Sequence, residues 1–138
     1  MTRVLFDVNV VLDVLADRAP HADASSGALG LAEQGRVEGI VAAHTVTTLH
    51  YLLERDVGRA RARRALSALL GFLEVEPVDG PTLRQALALG WKDFEDAVQA
   101  VCAETAKADY LVSRDVAGFK KATVRTVAPA ELLVLVGS

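Results

Sequence analysis

Arg3-Val4-Leu5-Phe6-Asp7-Val8-Asn9 is the stretch whose reading decides the fold. An apolar run stops on a carboxylate, with a carboxamide two positions on. Val4-Leu5-Phe6 reads as a short buried strand. Oxygens just beyond its carboxyl end lie where open α/β sheets bind their ligands. Two distant segments carry acids in similar settings, Asp93-Phe94-Glu95-Asp96 and Ser113-Arg114-Asp115. Together the three describe one acidic, metal-binding crevice.

Outward from that strand, helical and strand patterns alternate along the chain. Val10 to Leu15 suits a short helix ending near Arg18-Ala19-Pro20, and a second helix runs from about Pro20 to Gln34, with Gly35 as its stop. Glu38 to Ala42 reads as strand two. The next helix sets Val46, Leu49 and Leu53 on one face, and after Gly58 another repeats the pattern with Leu66, Leu69, Leu70 and Leu73. Leu73 to Val78 alternates like a half-exposed strand, and Pro77 places it at a sheet edge. Asp79-Gly80-Pro81 opens a helix closed by Gly90, and Asp93 begins one that reaches Lys107. Strands follow at 109–113 and 122–127, and Pro129 fits the first turn of a terminal helix. Strands alternating with helices predict an α/β fold, three-layer α/β/α, around a central parallel sheet. Strand order is not legible at this level.

Composition narrows the options. With 51% hydrophobic and 24% charged residues, a chain of 138 residues buries one sizeable core and reads as one domain over 1–138, which excludes a disordered protein. Aromatic residues are so few that the core must be built from Val, Leu and Ala. The single cysteine, Cys102, lies in an apolar stretch, has no internal disulfide partner and reads as buried and structural. No apolar run approaches the roughly 20 residues of a membrane span, and Asp7 interrupts the opening stretch too early for a signal-peptide core. The expectation is a soluble, cytoplasmic protein without membrane contact. A net charge of −3 does not announce a polyanion partner, although Arg55, Arg59, Arg61, Arg63 and Arg64 cluster within ten positions. On a helix Arg61 and Arg64 fall opposite the leucines, so a solvated face accounts for them. Arg114, Lys120 and Lys121, beside Asp115, are better placed to meet a phosphate backbone.

Each acid has an ordinary reading beside the functional one. Asp7 suits a helix cap as well as a ligand, and Asn9 is more often a cap. Acids favour helix starts through the macrodipole, yet three in four residues at 93–96 exceed what capping needs. Asp93 and Asp96 project to one side of the first turn; Asp96, in line with Ala100 and Ala103, is the inward ligand, Asp93 the auxiliary and Glu95 a solvated side chain. Asp115 repeats the Asp7 pattern, with the Ser113 hydroxyl joining the same crevice. Carboxylates without paired His or Cys match a hard cation, Mg²⁺ or Mn²⁺. Such a cation supports phosphodiester hydrolysis. His44 follows strand two and approaches the crevice, whereas His21 and His50 have no partner pattern. Trp91 and Phe94 can stack on a base but read first as core or interface anchors.

The chain resembles PIN-domain nucleases, the group that includes the VapC ribonuclease toxins of toxin–antitoxin pairs. The resemblance rests on Val4 to Asp13, on Asp93 to Ala100, and on Ala108 to Asp115 with Phe119, in the family's order and spacing. It implies a Rossmann-like α/β/α fold and a Mg²⁺ or Mn²⁺ pocket of catalytic Asp7, Asp96 and Asp115, with Asp93, Asn9 and Ser113 at or beside it. It also implies an RNA substrate, an antitoxin partner and a homodimer. One departure stands out. The family usually carries an acid on the helix after strand two, near Thr48 here, and no carboxylate occurs from His44 to Leu53. Thr48 offers only a hydroxyl. The alternative expectation is therefore a catalytically silent PIN-like interaction module. A phosphotransfer protein with Asp7 as nucleophile ranks last, because Asn9 stands where that pattern wants a second Asp.

Overall fold

Alternation along the first strand sorts the whole molecule into layers. The computed structural model describes residues 1–137. In β1 (Arg3–Phe6) the side chains of Val4 and Phe6 enter one core while Leu5 enters the other. All three are fully buried, as expected of a strand covered on both faces.

The first face is covered by α1 (Val8–Leu15), α2 (Ala22–Glu33), α3 (Ala43–Val57), α4 (Arg59–Leu70) and α7 (Pro129–Val136), through Val10, Leu29, Leu49, Leu53, Leu66 and Leu132. The second face is covered by α5 (Gly80–Leu89) and α6 (Phe94–Thr105). Ala97, Ala100 and Ala103 are small enough to let α6 lie closely over Leu5, Ile40 and Leu111. The remaining strands are β2 (Glu38–Ala42), β3 (Leu73–Glu76), β4 (Tyr110–Val112) and β5 (Arg125–Val127), with a 3₁₀ turn over Val116–Phe119 between the last two. The three-layer α/β/α expectation holds.

All four pairings are parallel, in the order β3-β2-β1-β4-β5. The chain moves outward from β1 to β2 and β3, then returns through α5 and α6 to place β4 on the other side of β1. The order reverses between β1 and β4, and ligands of open sheets bind outside the carboxyl ends of strands at such a point. β3 occupies the edge, as Pro77 indicated. Some boundaries shift. The last strand starts at Arg125 rather than Ala122, because the Ala122 N–H is engaged in a turn to the Phe119 carbonyl, 2.9 Å. Leu73 belongs to β3 instead of extending the α4 face, and Leu70 is exposed. Burial pushes the Cys102 thiol up to about 12, an inert structural cysteine. No helix among the described residues is long and apolar enough to cross a membrane.

Gly39 on β2 leaves no room for a side chain. A Cβ there would meet Leu73 Cδ2 at 2.5 Å and Ala32 Cβ at 2.7 Å. Gly39→Ala is expected to lower stability by about 1–3 kcal/mol, measured as a shift of the urea midpoint at unchanged slope.

Candidate metal-binding site

Three chain segments end at the β1–β4 reversal, and each delivers an acid that also caps the next element. Asp7 follows β1 and caps α1, its Oδ1 accepting from Val8 N at 2.7 Å. Asp93 caps α6, its Oδ1 accepting from Asp96 N at 3.0 Å. Asp115 follows β4 and caps the 3₁₀ turn, its Oδ1 accepting from Gly118 N at 3.1 Å. The capping role weighed for each acid therefore coexists with convergence on one place. A cap occupies one oxygen and fixes the direction of the other.

Asp7 is the anchor. It is buried, and its Oδ1 also accepts from Gln99 Nε2 at 3.0 Å while Oδ2 accepts from Ser113 Oγ at 2.7 Å. Two donors exhaust Oδ1, but Oδ2 keeps a free lone pair. Burial pushes the Asp7 carboxyl up, opposed by the bonds from Ser113 and Val8 and reinforced by Glu95 and Asp93. Ser113 Oγ also accepts from Asp115 N at 3.0 Å, so one hydroxyl couples the two strand-end acids. Asn9 Oδ1 accepts from Arg114 N at 3.4 Å and ties α1 to the same loop.

Asp96 shows that the acids share one space. Partial burial and then the charges of Asp93, Asp7, Asp115 and Glu95 raise its carboxyl to about 7. Glu95 is exposed, yet it too is pushed up, by desolvation and by Asp93. Among the described residues no three His, Cys, Asp or Glu side chains stand as a ready-made metal cage. The donor set nevertheless fits a hard divalent cation: its members are oxygens, and the charges of Asp93, Asp7, Asp115 and Glu95 add to burial in raising the Asp96 carboxyl.

Asp93, Asp96 and Asp115 floor an open cleft of about 840 Å³ whose walls include Trp91, Phe94, Lys92, Lys120 and Lys121. Arg114 has a different partner. Its Nε pairs at 2.7 Å with Oδ2 of Asp13, a fully buried carboxylate on α1 that also accepts from Arg18 and Ser25. Thr48 donates to the His44 carbonyl of its own helix, 3.1 Å. The α3 hydroxyl that reaches the Asp7 network belongs instead to the buried Thr45, which accepts from Gln99 Nε2 at 3.2 Å. Gln99 and Thr45 carried no sequence signal, since a lone Gln or Thr in a helix announces nothing without its tertiary neighbours. His44 lies close enough to feel the Asp7 charge, although burial is the larger influence and lowers its pKa. Both its ring nitrogens are shielded from solvent and unpartnered among the described residues.

A sequence model of the PIN domain matches residues 3–117. No curated protein sequence matches the chain. Among solved structures, the fold is similar to VapBC2 from Rickettsia felis bound to a promoter DNA fragment, with 15% identity, 92% of this chain and 98% of that one covered, and a TM-score of 0.71. It is similar to a toxin–antitoxin complex from Klebsiella pneumoniae, at 19% identity, 91% and 97% coverage and a TM-score of 0.69. It is also similar to VapC20 of Mycobacterium tuberculosis, described as a sarcin–ricin loop cleaving toxin, at 17% identity, 78% and 86% coverage and a TM-score of 0.63.

Asp96 holds its proton more tightly folded than unfolded, so the metal-free fold is favoured at low pH. That contribution is lost as pH rises from the ordinary 3.8 towards about 7. Asp96→Asn is expected to raise the melting temperature of metal-free protein at pH 8 by about 4 °C, with a much smaller gain at pH 5. Thermal melts at the two pH values in EDTA check this.

Proposed function

The chain belongs to the PIN domain family, and on that premise we propose that it is a Mg²⁺- or Mn²⁺-dependent endoribonuclease, the toxin of a toxin–antitoxin pair. The observation that carries the reading is that Asp93, Asp96 and Asp115 line one cleft, where partial burial first and the neighbouring acids second raise the Asp96 carboxyl to about 7. Toxin–antitoxin complexes among similar structures support an antitoxin partner, and the description of VapC20 supports RNA as the substrate. A homodimer and a cytoplasmic location belong to the same proposal.

Asp7, Asp96 and Asp115 are the residues assigned to hold the cation, with Asp93 as auxiliary. A divalent cation there supplies Lewis acidity for hydrolysis at phosphorus. The chain's own groups do the rest. Gln99, Ser113 and Val8 N orient Asp7 so that one lone pair of Oδ2 is left to give. Asp96 releases its proton when positive charge arrives, which makes binding pH-dependent. Lys92, Lys120 and Lys121 on the cleft wall meet the phosphates flanking the scissile bond, and exposed Phe94 offers a stacking surface for a base. Arg114, held by Asp13, serves the loop that carries Asp115 rather than the phosphates.

The second reading, a catalytically silent PIN-like module, is favoured by one observation: α3 directs Thr45 rather than a carboxylate at the Asp7 network. Calorimetric titration with Mn²⁺ separates the two. The ribonuclease should bind at or below millimolar metal, and the silent module should not.

Asp7→Asn and Asp96→Asn are each expected to lower Mn²⁺-dependent cleavage of a single-stranded RNA by about 10²-fold or more with circular dichroism unchanged. Full activity in both variants would overturn the assignment. Lys120→Ala/Lys121→Ala is expected to weaken RNA binding about equally across sequences and to reduce the slope of log affinity against log salt by roughly 1–2, read by fluorescence anisotropy at three salt concentrations.

A further inference from the structure

A second cavity of about 260 Å³ adjoins the acidic cleft and shares Leu89, Trp91 and Lys121 with it. Trp91 stands between the two spaces, its ring braced edge-on by Phe119 with centroids 6.2 Å apart. Ala100, Val101 and Ala122 make the inner surface apolar. Asp96, Ala100 and Glu104 recur every fourth residue on α6 and so share one helix face. The cavity therefore begins about 6 Å from the Asp96 position and reaches Glu104 about 12 Å along the axis. Among the described residues Glu104 is the only acid lining it. Thr123 Oγ1 donates to Glu104 Oε2 at 2.8 Å, which orients the carboxylate and leaves Oε1 without a partner among the described residues.

These features match a flat apolar ligand that carries hydrogen-bond donors on one edge and is attached to a polyanion. We propose that this cavity is a nucleobase subsite, taking the unpaired base next to the scissile phosphate and selecting bases with an amino group. The inference rests on the ribonuclease reading and names the part of the substrate that reading left open. Stacking on Trp91 is sequence-tolerant, because every base presents a π-face. Discrimination falls to Glu104, which accepts only from donors. Guanine offers N1–H and N2–H to the two oxygens of one carboxylate, whereas cytosine and adenine each offer a single amino group. Uracil offers one N–H between two carbonyls that the carboxylate repels. The order of preference is therefore guanine first and uracil last. Lys121, at the junction of the two spaces, meets the connecting phosphate and offsets the charge of Glu104.

Trp91 is the sole tryptophan, so its fluorescence reports on the junction of the two spaces, and the dependence on the central base assigns the signal to the cavity. The full chain in EDTA is titrated with the pentaribonucleotides UUGUU, UUCUU and UUUUU, with anisotropy of end-labelled RNA in parallel. The expected result is quenching of Trp91 and an affinity at least 10-fold higher for UUGUU than for UUUUU, about 1.4 kcal/mol. Glu104→Ala, at an exposed position and with folding checked by circular dichroism, should reduce that ratio to below threefold, by weakening UUGUU binding and by relieving the repulsion of UUUUU. Equal affinities, or a guanine preference that survives Glu104→Ala, overturn the subsite even if Mn²⁺-dependent cleavage is intact. Quenching by an antitoxin-derived peptide but by no RNA overturns it in favour of a partner pocket. Absence of both RNA binding and cleavage overturns the subsite together with the nuclease reading.

Discussion

The rest of the site depends on the burial of Asp7. A carboxylate at the closed end of an apolar strand is costly to desolvate, by several kcal/mol if left alone. Three donors from three parts of the chain offset that cost: Val8 N at the next residue, Ser113 just beyond the neighbouring strand, and Gln99 on the helix across the sheet. Bonds to a charged acceptor contribute about 1.5–3 kcal/mol each. They also hold β1, β4 and α6 in one arrangement, so the demand to satisfy a buried charge becomes the device that brings Asp96 and Asp115 to the same crevice.

Asp13 performs a parallel task nearly two turns further along α1. Fully buried, it gathers Arg18, Ser25 and Arg114. Its hold on Arg114 fixes the backbone between Ser113 and Asp115 from one side while Asn9 holds it from the other. Two buried acids on one short segment thus define the loop that carries the last acid of the site. Breaking either would leave an unpaired buried charge, a larger penalty than any surface ion pair could offset.

On the ribonuclease reading, the arrangement of charge is how a chain of net charge −3 would meet a polyanion. Acids and lysines line the same cleft, and a cation held by the acids would reverse their sign. Local potential rather than total charge governs such an encounter. The arginines of α4, by contrast, point to solvent on the far side of the leucines.

The amino-acid order alone determined the layers and the acids. The continuous apolar run Val4-Leu5-Phe6, the leucine spacing of α3 and α4, and acids just after β1 and β4 and at the start of α6 are local patterns, and local patterns survive folding because backbone periodicity enforces them. The positions of Asp7 and Asp115 just after strands and of Asp96 in the first turn of a helix were legible for that reason. What only the tertiary structure decided was which groups stand against those acids. Strand order places Ser113 beside Asp7, and Gln99 and Thr45 meet across 54 positions of sequence. Thr48, one turn beyond Thr45, spends its hydroxyl on its own helix. Arg114 turns from the phosphates to Asp13 for the same kind of reason. Hydrogen bonds between side chains distant in sequence have no period, so no pattern in the chain announces them. They exist only once the sheet has set its strands side by side.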